Sequence, residues 1–175
     1  MGSLIAMRIA LNYPQYVNGV VALSSTSRAA TPEAVALFQQ VYDVWISTPT
    51  PSEEIMNLSI QAWGGSPDIT CNRAMTIKKN WCERYNGAKN VEAIAQAVNS
   101  RDDIVGRLSD IECPILLIQG EKDTTWSLEE AEITVKQLKD GEVKVVPATG
   151  HMLIFIRDAP EVNGWIEEFA KRLGY

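Results

Sequence analysis

Ile115-Leu116-Leu117-Ile118-Gln119-Gly120-Glu121-Lys122-Asp123 is a short apolar run that breaks into a polar loop. Four unbroken apolar residues, too few for a helix, are what a parallel strand covered on both faces requires. A second such run, Val20-Val21-Ala22-Leu23, lies upstream, and Val143-Lys144-Val145-Val146 follows downstream. Helical patterns are linked to each. Leu4 to Leu11 is apolar nearly all round except for Arg8, so this helix is expected to be buried rather than amphipathic. Ser127-Leu128-Glu129-Glu130 has the spacing of a capping box and opens a helix running to about Lys139. Pro160 suits a first helical turn, and Val162, Trp165, Ile166, Phe169 and Leu173 follow at helical spacing. Helix, strand, long insertion, strand, helix, strand, helix is the order of an α/β protein with a parallel sheet. The strands near 19–24, 114–119 and 142–147 are expected side by side in sequential order.

The insertion, residues 27–108, shows no convincing strand. Thr31-Pro32-Glu33 starts a helix carrying Val35, Phe38, Val41, Tyr42 and Trp45, and Ser52-Glu53-Glu54 starts another that reaches Trp63 before Gly64-Gly65. Two more are expected, from about Ile69 to Tyr85 and around Val91, Ile94, Ala95 and Val98. With 175 residues, 46% of them apolar, the chain can bury a full core as one domain with one insertion.

Charge narrows the partners. The net charge is −6, and residues 101–175 carry 15 acidic against 9 basic groups, whereas residues 1–100 carry 7 of each. Nucleic-acid binding needs a basic face to displace counterions, and none is present; Arg73 to Arg84, with Lys78 and Lys79, reads as a solvated helix face. No apolar run is long enough to span a membrane. The three cysteines, Cys71, Cys82 and Cys113, contain no C-x-x-C and read as small buried hydrophobes. No metal site and no cofactor motif is expected. A reducing compartment, and by default the cytoplasm, follows from this cysteine usage and from an N-terminus that makes a poor signal peptide. Oligomeric state is not legible.

Two residues carry the chemistry. His151, the single histidine, sits in Pro147-Ala148-Thr149-Gly150-His151, just past the last strand. Asp123 leaves the middle strand at the same edge of the sheet, the carboxyl edge where open α/β sheets bind ligands. A lone histidine is commonly a surface residue, and an aspartate in such a loop is commonly a turn former. Together, after neighbouring strands, they can form a pair in which the carboxylate fixes the imidazole tautomer and leaves Nε2 free to activate a nucleophile.

Strand-G-E-K-D, helix, strand-A-T-G-H and a terminal amphipathic helix resemble the second half of an α/β-hydrolase-fold enzyme. The opening Met1-Gly2-Ser3-Leu4-Ile5-Ala6 resembles the tail of that family's nucleophile elbow, G-x-S-x-G. The resemblance implies a partial α/β-hydrolase fold, with residues 1–26 and 109–175 as core and 27–108 as a helical cap. It implies that Met1 follows the nucleophile and donates one oxyanion-hole N–H, that Gly2 closes the elbow where backbone segments approach closely, and that Asp123 and His151 complete a catalytic triad. Tyr42, Trp45, Met56, Trp63, Met75 and Trp81 become candidates to line an apolar pocket for a small apolar or ester-like substrate.

The nucleophile itself is missing from the pattern. Ser3 lacks the elbow glycines, and Ser24, Ser25 and Ser27 read as the neck of the cap. The chain is therefore expected to be a fragment of a hydrolase, inactive alone and poorly stable because β-edge and helix surfaces lose their partners. Alternatives are a non-catalytic remnant or binding module using the cap, and an epoxide hydrolase or dehalogenase type with an aspartate nucleophile. A receiver-like or nucleotide-binding domain fares worse, since no G-x-G-x-x-G, P-loop or acidic cluster is evident.

Overall fold

The computed structural model describes residues 1–47, 50–64, 72–84, 88–151 and 160–175, with backbone alone at 62–64, 73, 88 and 89. The Trp63 side chain, Gly65, Ile69 to Cys71 and Tyr85 lie outside the described residues. The elements run α1 (Gly2–Asn12), a 3-10 turn, β1 (Val20–Leu23), α2 (Pro32–Ile46), α3 (Glu53–Gly64), α4 (Asn72–Arg84), α5 (Ala88–Asn99), a second 3-10 turn (Val105–Asp110), β2 (Ile115–Gly120), α6 (Leu128–Gln137), β3 (Gly141–Val146) and α7 (Pro160–Arg172).

The three strands form one parallel sheet in the order β1-β2-β3, with Val21 opposite Leu116 and Leu117 opposite Val143. Strand periodicity explains the layers. Alternate residues of β2 point to opposite faces: Ile115 and Leu117 join Met7, Ala22, Leu108 and Ala131 beneath α1 and α6, whereas Leu116 and Ile118 join Val146, Val162 and Phe169 beneath α7. Every residue of β2 is buried, as its apolar run requires. Replacing Leu117, fully buried at the centre, with alanine is expected to lower unfolding stability by about 3 kcal/mol through transfer and cavity terms. A denaturant titration checks it; a loss under about 1 kcal/mol would contradict the sandwiched sheet.

Local chemistry sets the helix starts. Thr31 Oγ1 accepts the Ala34 N–H at 3.2 Å, Ser52 Oγ accepts that of Ile55 at 3.2 Å and Ser127 Oγ accepts that of Glu130 at 3.3 Å. The capping box at Ser127 is only half made, because Glu130 Oε2 is buried with no hydrogen-bond partner among the described residues.

Two expectations need correcting. Helix α1 buries one face through Leu4, Met7 and Ala10, but Ile5 and Ile9 are 51% and 41% exposed. It packs on β1 at the sheet edge, where only one side is covered. Its one charged residue reaches out: Arg8 donates to the Asp102 carboxylate and carbonyl at 2.8 and 2.7 Å, and the bond to the carboxylate holds the Asp102 carboxyl below its ordinary value. The cysteines are not all buried. Cys82 is exposed on α4, where its thiol points at Met56 Sδ 3.5 Å away, and Cys113 is half-buried.

The helical residues between β1 and β2 leave and rejoin the sheet layer at one place. The Ile104 N–H donates to the Ser27 carbonyl at 2.9 Å, and Arg101 Nε donates to the Arg28 carbonyl at 2.8 Å.

Candidate functional site

Asp123 follows β2 by three residues and His151 follows β3 by five, so both stand at the carboxyl edge of the sheet. Their loops are fastened to each other. The Glu121 N–H donates to the Val146 carbonyl at 3.0 Å, the Lys122 N–H to the Thr149 carbonyl at 2.8 Å, and the Ala148 N–H to the Glu121 carboxylate at 2.7 Å. Gly120 makes this approach possible. A Cβ there would sit 2.9 Å from the Thr149 carbonyl carbon and closer still to the carbonyl oxygens of Thr149 and Gly150.

The Asp123 side chain is fully buried and its acceptor capacity is well used. Oδ1 accepts the N–H groups of Thr125 and Trp126 at 2.8 and 2.9 Å, and Oδ2 accepts Gln119 Nε2 at 2.8 Å. His151 Nδ1 lies 2.9 Å from the same Oδ2. A carboxylate only accepts, so this contact places the hydrogen on Nδ1 and leaves the Nε2 lone pair free. His151 is one-quarter exposed, and no described residue bonds its Nε2. The arrangement can accept a proton at Nε2 while Asp123, pinned on three other sides, stabilises the resulting cation.

A cavity of about 140 Å³ opens beside His151. Met1, Ser24, Ser25, Phe38, Tyr42 and Trp126 are among its walls. Strain gathers here. Ser24 and Ala148, one on each side of the site, have φ of +43° and +52°, the left-handed region that side chains disfavour. Ser24 Oγ is also buried without a described partner, a state that costs about 1–3 kcal/mol.

The sequence-predicted residues divide. Asp123, His151, Met1 and Tyr42 are brought together around the cavity. Trp45, Met56 and Trp81 instead pack among the helices. The Trp45 ring meets Trp81 edge-on at 4.7 Å and stacks on Tyr42 at 6.4 Å, and Met56 is buried against Cys82. Met75 is 56% exposed. Helical spacing marks an apolar face without saying whether a neighbouring helix or a cavity covers it. Nothing described lies within 4 Å of a Cβ built on Gly2, so the close approach expected there is not made by these residues. Among the cavity walls missed were Phe38, Val41, Val98, Thr125 and Trp126. Trp126 had a readable signal, since it follows the candidate acid by three positions.

A parallel sheet carrying a buried aspartate and a histidine on consecutive carboxyl-edge loops defines a chain of the α/β-hydrolase fold. More narrowly, the chain belongs to the serine aminopeptidase S33 family of hydrolases, whose profile matches residues 1–158. Among solved structures, it is similar to a thermophilic esterase from Thermogutta terrifontis, with 21% identity over 98% of this chain and 62% of that one, TM-score 0.81. A hydrolase from Pseudomonas aeruginosa PA01 shares 18% identity over 96% of this chain and 61% of its own, TM-score 0.80. Est816, described as an N-acyl homoserine lactone degrading enzyme, shares 25% over 96% and 64%, TM-score 0.71. The chain thus spans 61–64% of the length of these three structures. No curated protein matches it. Among the described residues, no helix is long and apolar enough to cross a membrane, and no group of three or more His, Cys, Asp or Glu is placed to hold a metal ion.

Proposed function

We propose that residues 1–175 are the acid–base and cap portion of a hydrolase that cleaves esters or related acyl compounds, with its nucleophile on sequence preceding Met1. The buried Asp123 bonded to His151 Nδ1 carries this reading, because it prepares Nε2 as a general base and fixes its tautomer. In the proposed reaction the nucleophile's hydroxyl gives its proton to Nε2 as its oxygen attacks the carbonyl carbon. The same proton then passes to the leaving group as the acyl bond breaks. A water, deprotonated by Nε2 in turn, releases the acid. Met1, a wall of the cavity and the N-cap of α1, would supply one backbone N–H to the oxyanion once a peptide bond joins it to the preceding residue.

The family match and the esterase neighbours support ester chemistry, and the family's serine character favours a serine over an aspartate nucleophile. Residues 27–108 would form the cap, with α2 and α5 over the His151 cavity through Tyr42 and Val98. The second reading, a binding module without catalysis, is favoured by one observation: among the described residues no serine, threonine or cysteine side chain bonds His151.

Turnover of a chromogenic short-chain ester separates them. Residues 1–175 are expected to stay at background, and a chain extended N-terminally through the elbow is expected to turn over. Background rates from both, with both folded, would favour the binding module. Turnover by residues 1–175 that is abolished by His151→Ala would overturn the missing nucleophile.

A further inference from the structure

A second chamber of about 360 Å³ adjoins the cavity beside His151. Helix α2 supplies Phe38 and Val41 to its wall, α3 supplies Ile55 and Leu58, and the loop after Asp123 supplies Thr125 and Trp126. Among the described residues, no charged side chain lines it. Phe38, Val41, Thr125 and Trp126 belong to both walls, so the two spaces share a partition.

The partition is fixed from several sides. The Trp126 ring meets Phe38 edge-on at 6.4 Å and His151 edge-on at 6.3 Å. The backbone N–H of Trp126 donates to Asp123, and its backbone carbonyl accepts from Gln119 Nε2 at 2.6 Å. The guanidinium of Arg101, itself only 9% exposed, lies 4.6 Å from the ring centroid and is tied to the carbonyls of Arg28 and Val98. A wall held this firmly gives a chamber that exists before any ligand enters, which removes ordering cost from binding.

We propose that this chamber takes the apolar arm of the substrate, an uncharged chain of roughly eight to ten carbons, while the scissile group sits beside His151. The proposal rests on the hydrolase reading above and adds the substrate class. At about 30 Å³ per heavy atom, the share of a liquid water, the space holds about twelve atoms, and fewer with ordinary packing gaps. A charged arm would lose its hydration with no ionic partner in return. The acyl side and the alcohol side of an ester share this chemistry.

The test begins without turnover. Methyl ketones carry the carbonyl and the arm but have no ester bond to cleave, and their binding to residues 1–175 can be followed by calorimetry. Affinity is expected to rise roughly threefold to fourfold per methylene from 2-hexanone to about 2-decanone, then level off. Leu58→Trp and Ala34→Phe, which fill the chamber from two different helices, should each shorten that series by two or three carbons. Trp126→Ala removes the partition and should lengthen it. A flat series, or one unchanged by both filling variants, overturns the proposal. With the extended chain, esters varied on the acyl side and then on the alcohol side show which arm enters. A chain-length series with no ester turnover would keep the chamber and sink the hydrolase reading. Turnover with no length dependence on either side would do the reverse.

Discussion

Alanine at His151, in a chain extended through the nucleophile elbow, is expected to lower ester turnover about 10⁴-fold, with the thermal transition nearly unmoved. His151 is partly exposed and makes one described hydrogen bond, through Nδ1, so little folding energy depends on it. Asp123→Asn should come close to the same kinetic loss by a different route. An asparagine can still accept at one atom, but its amide cannot serve Gln119 Nε2 and His151 Nδ1 as Oδ2 does, so the ring loses the tautomer that frees Nε2. Asp123 differs from His151 in stability as well. Its fully buried carboxylate accepts from two backbone N–H groups, so Asp123→Ala should cost stability as well as rate. Steady-state kinetics beside a melting curve for the three variants check both claims. Retention of more than about a tenth of wild-type kcat by His151→Ala would remove it from the mechanism.

Among the glycines whose surroundings are described, Gly120→Ala should be the most damaging added methyl. The added carbon would meet backbone atoms of Thr149 and Gly150, which cannot swing aside as a side chain can. Relief requires the loop before His151 to lift, and that breaks the bonds from Lys122 to Thr149 and from Ala148 to Glu121. Overpacking of this kind costs about 3 kcal/mol. In an extended, active chain the variant should also lose turnover well beyond its loss of folded population, because His151 would no longer face Asp123. Gly2→Ala is the comparison within residues 1–175, since nothing described lies within 4 Å of its new carbon. Denaturant unfolding of the pair should show a large loss for Gly120→Ala and almost none for Gly2→Ala.

The sheet was legible because its middle strand admits one reading. An all-apolar run of four, followed by Gln119, Gly120 and an acid, has to be sandwiched between helices. The Asp123–His151 pair was legible for a related reason: parallel strands deliver every following loop to the same edge. The cavity walls were not. Trp45, Tyr42 and Trp81 share helical faces, yet only Tyr42 reaches the site, because crossing angles between helices are set by packing and leave no trace in spacing. The exposed Ile5 and Ile9 show the same limit, since an apolar helix announces that it wants partners without saying which faces find them.

The bond from Ile104 to the Ser27 carbonyl has an evolutionary consequence. Residues 28–103 are an excursion whose two ends are already joined, so their length changes the closure entropy only logarithmically and moves neither β1 nor β2. Such a block can be lengthened, shortened or exchanged as a cassette. The Asp123–His151 geometry is anchored on the other side of that joint, apart from the Trp126 wall that Arg101 steadies. On the proposed reading, selection could remodel what is recognised while inheriting unchanged the parts that would move the proton.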